Sequence, residues 1–442
     1  MVNFFFLVVY LFFGDTLQGE ELFYILSAHC IINIISHFSL EDNKVSPLFL
    51  FYAGVIAINY ADLGLIDQYH SGHAKISYLI PKYIDESAHI WCLSCTCMMI
   101  GWNYNNKRSL PPIAVNVTSA STLRIIYLFL FIVNAMRLYG AGLSFLSGPV
   151  LKIYALTNSI GIIFFARLWA KNDIKIYRFY ALSLFVLETY LAIQMSFLRY
   201  DIILPTMCLF AGYFIGKGSL KYLVSYRIIP FLIIISLYSS IFKTLQNNRS
   251  KFYKVIETLL DDDPTKPKVN NEKENSGALL ARSSNLGQLT NCVKLTKQKG
   301  FYNGKASEPL IVALVPRILW PDKPIIQLGR WFAYEMSGAK LNDPNSLGAN
   351  NSINMTIPGE LFLDFGYLGV LIGSFLFGAF LPLVWNAASF YSSEYNLPGT
   401  IFGGFLLLLS IADFGADLQV VITLMSIYVS LAVIKRFGTS KK

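Results

Sequence analysis

Runs of apolar residues long enough to cross a lipid bilayer recur along the whole chain, and they restrict its fold more than any other feature. A spanning helix needs about 20 mostly apolar residues and satisfies its backbone polar groups internally. The runs fall at about 2–17, 22–37, 46–63, 88–103, 125–146, 149–168, 177–198, 201–220, 228–245, 361–385, 398–414 and 417–435, which makes about twelve spans. Composition agrees. Only 14% of the 442 residues are charged and 54% are hydrophobic, against about 25% charged in a soluble domain. A soluble protein this apolar would expose large sticky patches. The expected fold class is therefore all-α: a polytopic transmembrane helical bundle. Residues 1–245 hold about nine spans, 246–360 form one large polar loop, and 361–442 hold about three spans.

The net charge of +9 does not point to nucleic acid, because the cations sit mainly between apolar runs rather than in a stripe with aromatics. They read as topology signals. Lys107, Arg108 and Arg124 fall in one short loop, Arg167, Lys171, Lys175 and Arg178 in another, and Lys217, Lys221 and Arg227 in a third. With twelve spans these three loops and the tail Lys435, Arg436, Lys441, Lys442 share one side. That side is expected to be cytoplasmic, with both termini there, and the loop 246–360 to lie outside. Met1 to Phe13 lacks a basic start and a cleavage site, so it reads as a short first span.

Cys92, Cys95 and Cys97 give a C-x-x-C-x-C pattern inside an apolar run, which reads as small residues packed in a bundle. No second ligand cluster accompanies it, so neither a metal nor another cofactor is expected. Gly369 and Gly373 form G-x-x-x-G, which lets helices approach closely. Arg137 and Glu188 lie deep in their apolar runs, where charges are expensive and usually paired. They are expected to face the bundle interior, as a structural pair or as a polar wall of a substrate cavity.

The loop itself divides. Its centre, Asp261 to Gly277, is charged and poor in apolar residues, the composition of a mobile segment. Its end is stiff: Pro316, Pro321 and Pro324 surround Arg317 and forbid a long helix. A guanidinium there can hold phosphate oxygens bidentately, from a lipid headgroup or from a substrate. Glu360 then opens the next span after Pro358-Gly359. It reads either as an electrostatic partner of the helix N-terminus or as a general base, with Asp201 and Asp364 as further carboxylates. His70 and His73 fall in an outer loop.

These segments, Pro316-Arg317-Ile318-Leu319-Trp320-Pro321-Asp322-Lys323-Pro324 and Pro358-Gly359-Glu360-Leu361 through Gly366 and Gly369, resemble the Wzy-type polymerases of bacterial surface polysaccharides, including O-antigen polymerases. Arg199 at the outer end of a middle span and Arg282 early in the loop are similar to arginines of that family. The resemblance implies a membrane-embedded glycosyltransferase of the GT-C type in the bacterial inner membrane. Its substrates would be undecaprenyl-pyrophosphate-linked oligosaccharides, and a chain-length regulator protein would be a further partner alongside membrane lipids. It also implies that Arg317 and Arg282 clamp pyrophosphate with help from Arg199, that Trp320 and Lys323 contact substrate, and that Glu360 serves as base. An O-antigen ligase and a repeat-unit flippase are the competing readings.

Overall fold

The computed structural model describes residues 2–40, 46–70, 79–108, 118–138, 148–195, 199–217, 285–307, 320, 328–337 and 355–388, with scattered positions between 393 and 406. All regular structure among them is helical: α1 Val2–Phe13, α2 Gly19–Leu40, α3 Pro47–His70, α4 Ile84–Asn105, α5 Ala120–Leu138, α6 Gly148–Asn172, α7 Lys175–Met195, α8 Arg199–Lys217, α9 Leu286–Lys299, α10 Leu328–Ser337 and α11 Ile357–Ala388, with a 3-10 turn at Pro81–Tyr83. Among the described residues, Pro47–Asp67 and Ile357–Ala388 are long and apolar enough to cross a membrane. The fold is thus all-α, and each apolar run that falls within the described residues is helical. The runs 228–245 and 417–435 lie outside them.

Local chemistry sets several helix starts. Glu20 and Glu21 stand in the first turn of α2, and Asp85 and Glu86 in the first turn of α4. Carboxylates are favoured there by the helix dipole. Between α6 and α7 the chain reverses at Asp173, whose φ is 52°, a left-handed position that Asp tolerates better than most residues.

Small residues then let the helices close on each other. A Cβ on Gly101 of α4 would strike the Phe375 carbonyl of α11, and one on Gly378 of α11 would strike the backbone of Met98. Ser94 and Ser374 join hydroxyls across the same seam at 2.8 Å. Gly212 and Gly216 of α8 do the same against the backbone of Ile163 and Arg167 in α6. Two cores result. One gathers Phe164, Phe165, Tyr180, Leu184 and Cys208 from α6, α7 and α8, with Tyr127 of α5 stacked on Tyr180 at 4.1 Å. The other gathers Tyr10, Phe23, Leu65, Ile90 and Trp91 from α1 to α4, and Leu286, Leu289 and Val293 of α9 belong to it.

That last point refines the sequence reading of 246–360 as an outer loop. Helix α9 is buried on most of its circumference and is part of the bundle core. Asp62, fully buried in α3, accepts the Leu286 N–H that opens it at 3.3 Å. The stretch 261–277 lies outside the described residues.

Helix α11 is broken. Gly366 has φ 61° and ψ −149°, a conformation essentially confined to glycine. The first half folds back on the second, so that the Leu361 carbonyl lies against Gly369 and the Leu361 side chain against Gly373. The G-x-x-x-G pair therefore serves a close approach, but within its own segment.

The two ends of the bundle differ in charge. Asn386 donates to the carbonyls of Asn106 and Arg108, Trp385 packs on Ile215, and Tyr213 meets Trp169 at 5.0 Å. These contacts gather Lys107, Arg108, Arg124, Lys171, Lys175, Arg178 and Lys217 at one end, where the only carboxylate among the described residues is Asp173. The opposite end carries α9, α10 and the start of α11.

Candidate functional site

The candidate site is built where α9, the turn 301–307 and the broken helix α11 meet. Thr356 precedes α11 with φ 67°, and its Oγ1 accepts the Gly359 N–H at 3.3 Å. This is an N-cap, so capping belongs to Thr356 and not to Glu360. Pro358 fits the first turn, where an N–H has no intrahelical partner. Gly359 is required by packing: a Cβ there would meet Cys292 Sγ of α9 at 2.9 Å. Glu360 follows, 8% exposed, in the first turn where the dipole favours its charge. It faces Cys292, and burial together with the Glu360 carboxylate pushes that thiol well above its ordinary value.

Asp364, one turn on and fully buried, has a different task. Its Oδ1 accepts Ala306 N–H at 2.9 Å, and its Oδ2 accepts Ser307 N–H at 2.8 Å and the Ser307 hydroxyl at 2.6 Å. The carbonyls freed by the break at Gly366 are satisfied by the same turn, from Tyr302 N to Leu363 O at 2.9 Å and from Asn303 N to Asp364 O at 3.2 Å. With three donors on its carboxylate, Asp364 is a structural anchor rather than a base.

Beside it a satellite core of Cys292, Leu295, Ala306, Phe332, Met355 and Leu363 ties α10 to α9 and α11. Glu335 of α10 holds Lys299 and Tyr302. Burial raises the Glu335 carboxyl, but the Lys299 ammonium and Tyr302 hydroxyl outweigh it and hold the group below the usual range. Tyr302 in turn is raised by burial and by its bond to Glu335.

The other sequence candidates distribute as follows. Trp320 is described and exposed. Arg282, Arg317 and Lys323 lie outside the described residues. Arg199 is the first residue of α8 and Arg137 stands in the last turn of α5, and the side chains of both lie outside the described residues, as does that of Asp201. Glu188 is buried and accepts Asn158 Nδ2 of α6 at 2.8 Å, so it does face the bundle interior. His70 pairs with Glu20 at 3.5 Å, and His73 lies outside the described residues.

Sequence reasoning passed over two groups at this end. Asp62 orients α9, and its signal was available: a carboxylate inside the apolar run 46–63, read by the same rule as Glu188. His89 lies between Asp15 Oδ1 at 3.0 Å and the Tyr10 carbonyl at 2.9 Å, pinning the end of α1 to α4. Its partners are 74 and 79 positions away, and no local pattern announces them.

A family model described as a domain of unknown function, DUF8712, matches residues 45–437. No curated protein matches the chain, and no solved structure matches it.

Proposed function

The chain belongs to the DUF8712 family, whose match takes in bundle and loop together, and on that premise we propose that the two act as one membrane-embedded glycosyltransferase. It polymerises undecaprenyl-pyrophosphate-linked oligosaccharide repeat units into O-antigen or a related surface polysaccharide, at the outer face of a bacterial inner membrane. The bundle has about twelve spans, with both termini and the cation-bearing end in the cytoplasm, as the positive-inside rule requires. The exposed apolar residues Phe4, Phe12, Ile125, Phe129, Val186, Leu368 and Ile372 are the surface such a reading needs against lipid.

The observation that carries the reaction is Glu360. A carboxylate is held, nearly buried, in the first turn of α11, directly after the Thr356 cap and the close approach of Gly359 to Cys292. In the proposed step, an acceptor sugar hydroxyl attacks the anomeric carbon of the lipid-linked chain. The new glycosidic bond forms as the carbon–oxygen bond to pyrophosphate breaks. Glu360 takes the hydroxyl proton, and Arg317, Arg282 and Arg199 hold the departing pyrophosphate, whose charge grows in the transition state. Trp320 and Lys323 position the substrate. These arginine and lysine roles rest on the resemblance to Wzy-type polymerases.

A deletion strain tests the reading. A polymerase leaves single repeat units on the surface when lost. A flippase leaves none, and a ligase leaves polymer unattached. In complementation, Glu360→Gln, Arg317→Ala and Arg282→Lys should each fail to restore long polymer while the protein still inserts. Full polymer from Glu360→Gln would overturn the base assignment.

A further inference from the structure

We propose that the outer face of α7 is a binding site for an anionic phospholipid of the leaflet on the cation-bearing side. The inference rests on the membrane reading but not on the glycosyl transfer. A groove of about 690 Å³ runs along α7 beside Phe131 of α5, and its α7 lining is Lys175, Arg178, Phe179, Leu182, Ser183, Val186, Leu187 and Tyr190. Those positions recur at helical spacing on one face.

The polar lining is segregated. Both cations stand at one end, and the remainder is apolar apart from Ser183, whose hydroxyl is engaged with Tyr127 and the Tyr180 carbonyl inside the protein, and the phenol of Tyr190 at the far end. From Phe179 to Tyr190 the helix rises roughly 16 Å, close to one leaflet of a hydrocarbon core about 30 Å thick. The site therefore has the length of one acyl leaflet and two positive charges where a headgroup phosphate would sit.

Helix stability does not account for those charges. Lys175 and Arg178 occupy the first turn of α7, where the helix dipole disfavours cations. The segment Arg167–Arg178 carries four cations and one acid. Arg178 is steadied over the Trp169 ring at 5.4 Å, an aromatic placed as interfacial tryptophans are. A zwitterionic lipid would use the apolar lining and offer a phosphate, but its choline would leave the net charge of the two cations uncompensated. A sugar would find no free polar wall along most of its length. An anionic phospholipid uses the cations and the apolar lining together.

The test is native mass spectrometry of the full chain titrated with phosphatidylglycerol and with phosphatidylcholine of the same acyl chains. The wild type should bind phosphatidylglycerol preferentially. Lys175→Gln with Arg178→Gln should weaken phosphatidylglycerol roughly 30-fold, at the usual worth of a cation near a membrane surface, and weaken phosphatidylcholine, whose phosphate charge the choline cancels, far less. Val186→Trp, which fills the groove, should weaken both, whereas Ile372→Trp on α11 should weaken neither. Arg178→Lys keeps the charge and should keep the preference, which guards against a misfolded double variant. Equal binding of the two lipids, no response to Val186→Trp, or a dimer that the double variant dissociates would each overturn the proposal, the last in favour of a second copy of this chain. Polymer synthesis is not read in this experiment, so its outcome is independent of the reaction.

Discussion

The two ends of the bundle handle charge in opposite ways. At the loop end, carboxylates are spent on backbone N–H groups: Asp85 accepts Gly19 N–H at 2.7 Å, Asp62 accepts Leu286 N–H, and Asp364 accepts Ala306 and Ser307. Pairs such as Lys297–Glu86 at 3.1 Å close the remaining gaps. At the other end cations lie over rings, Arg108 on Tyr104 at 5.2 Å, Arg178 on Trp169 and Lys217 on Tyr213 at 5.7 Å, a contact that Lys82 on Tyr83 also makes at the loop end. Carboxylates buried against backbone donors fix the course of the chain. Cations without carboxylate partners among the described residues leave their charge available to something outside the protein. The difference separates an end that is assembled from an end that is presented.

Breaking the assembled end should be costly. Asp364→Ala leaves buried donors at Ala306 and Ser307 without their acceptor and should destabilise by about 3–5 kcal/mol, read by chemical unfolding in detergent; a loss below about 1 kcal/mol would erase the contrast between the ends. Gly366→Ala forces a side chain into a glycine-only conformation and against the Phe301 ring, at about 2–3 kcal/mol, with faster proteolysis in 301–307. Asp62→Asn weakens the start of α9 and should cost about 1–2 kcal/mol, seen as quicker hydrogen exchange at Leu286 and its neighbours. At the presented end, Arg108→Gln should change stability by less than about 1 kcal/mol.

The smallest effect sharpens the comparison through pH. The Glu335 carboxyl is lowered in the folded protein, so its stabilisation is present above the unfolded value and is lost as pH falls through the folded one. Lys299 is half exposed, which limits the pair to under about 1 kcal/mol. Glu335→Gln should lower neutral stability by up to that amount, leave stability below the folded value unchanged, and so flatten the acid limb of the unfolding curve.

Much of this architecture was legible from hydropathy. The runs at 22–37, 88–103 and 149–168 became α2, α4 and α6, because a helix that must hide its backbone leaves a contiguous apolar record. Glycine spacing also spoke, since Gly369 and Gly373 do permit close approach. What it could not convey was the partner, Leu361 of the same segment, because the break at Gly366 needs a backbone conformation that composition does not encode. Helix α9 was missed for a related reason. Its sequence, LGQLTNCVKLTKQK, is too polar to register as a run, yet Thr290 and Asn291 satisfy themselves on the Gly287 carbonyl and can be buried. Glu360 was legible as a position, but its surroundings come from Cys292 and Thr356, one of them in a distant helix.

The clamp between Ser307 and Asp364 also sets a schedule. The two residues are 57 positions apart, so during synthesis the turn 301–307 emerges roughly 3 to 11 s before the carboxylate that fixes it. For that interval Leu289 and Val293 have α4 to rest on, while the Cys292 face of α9 waits for Phe332 of α10 and then for Gly359 of α11. The nascent chain must keep this half-built junction from seeking other partners, and any chaperone that attends its insertion has its moment there, between α9 and α11.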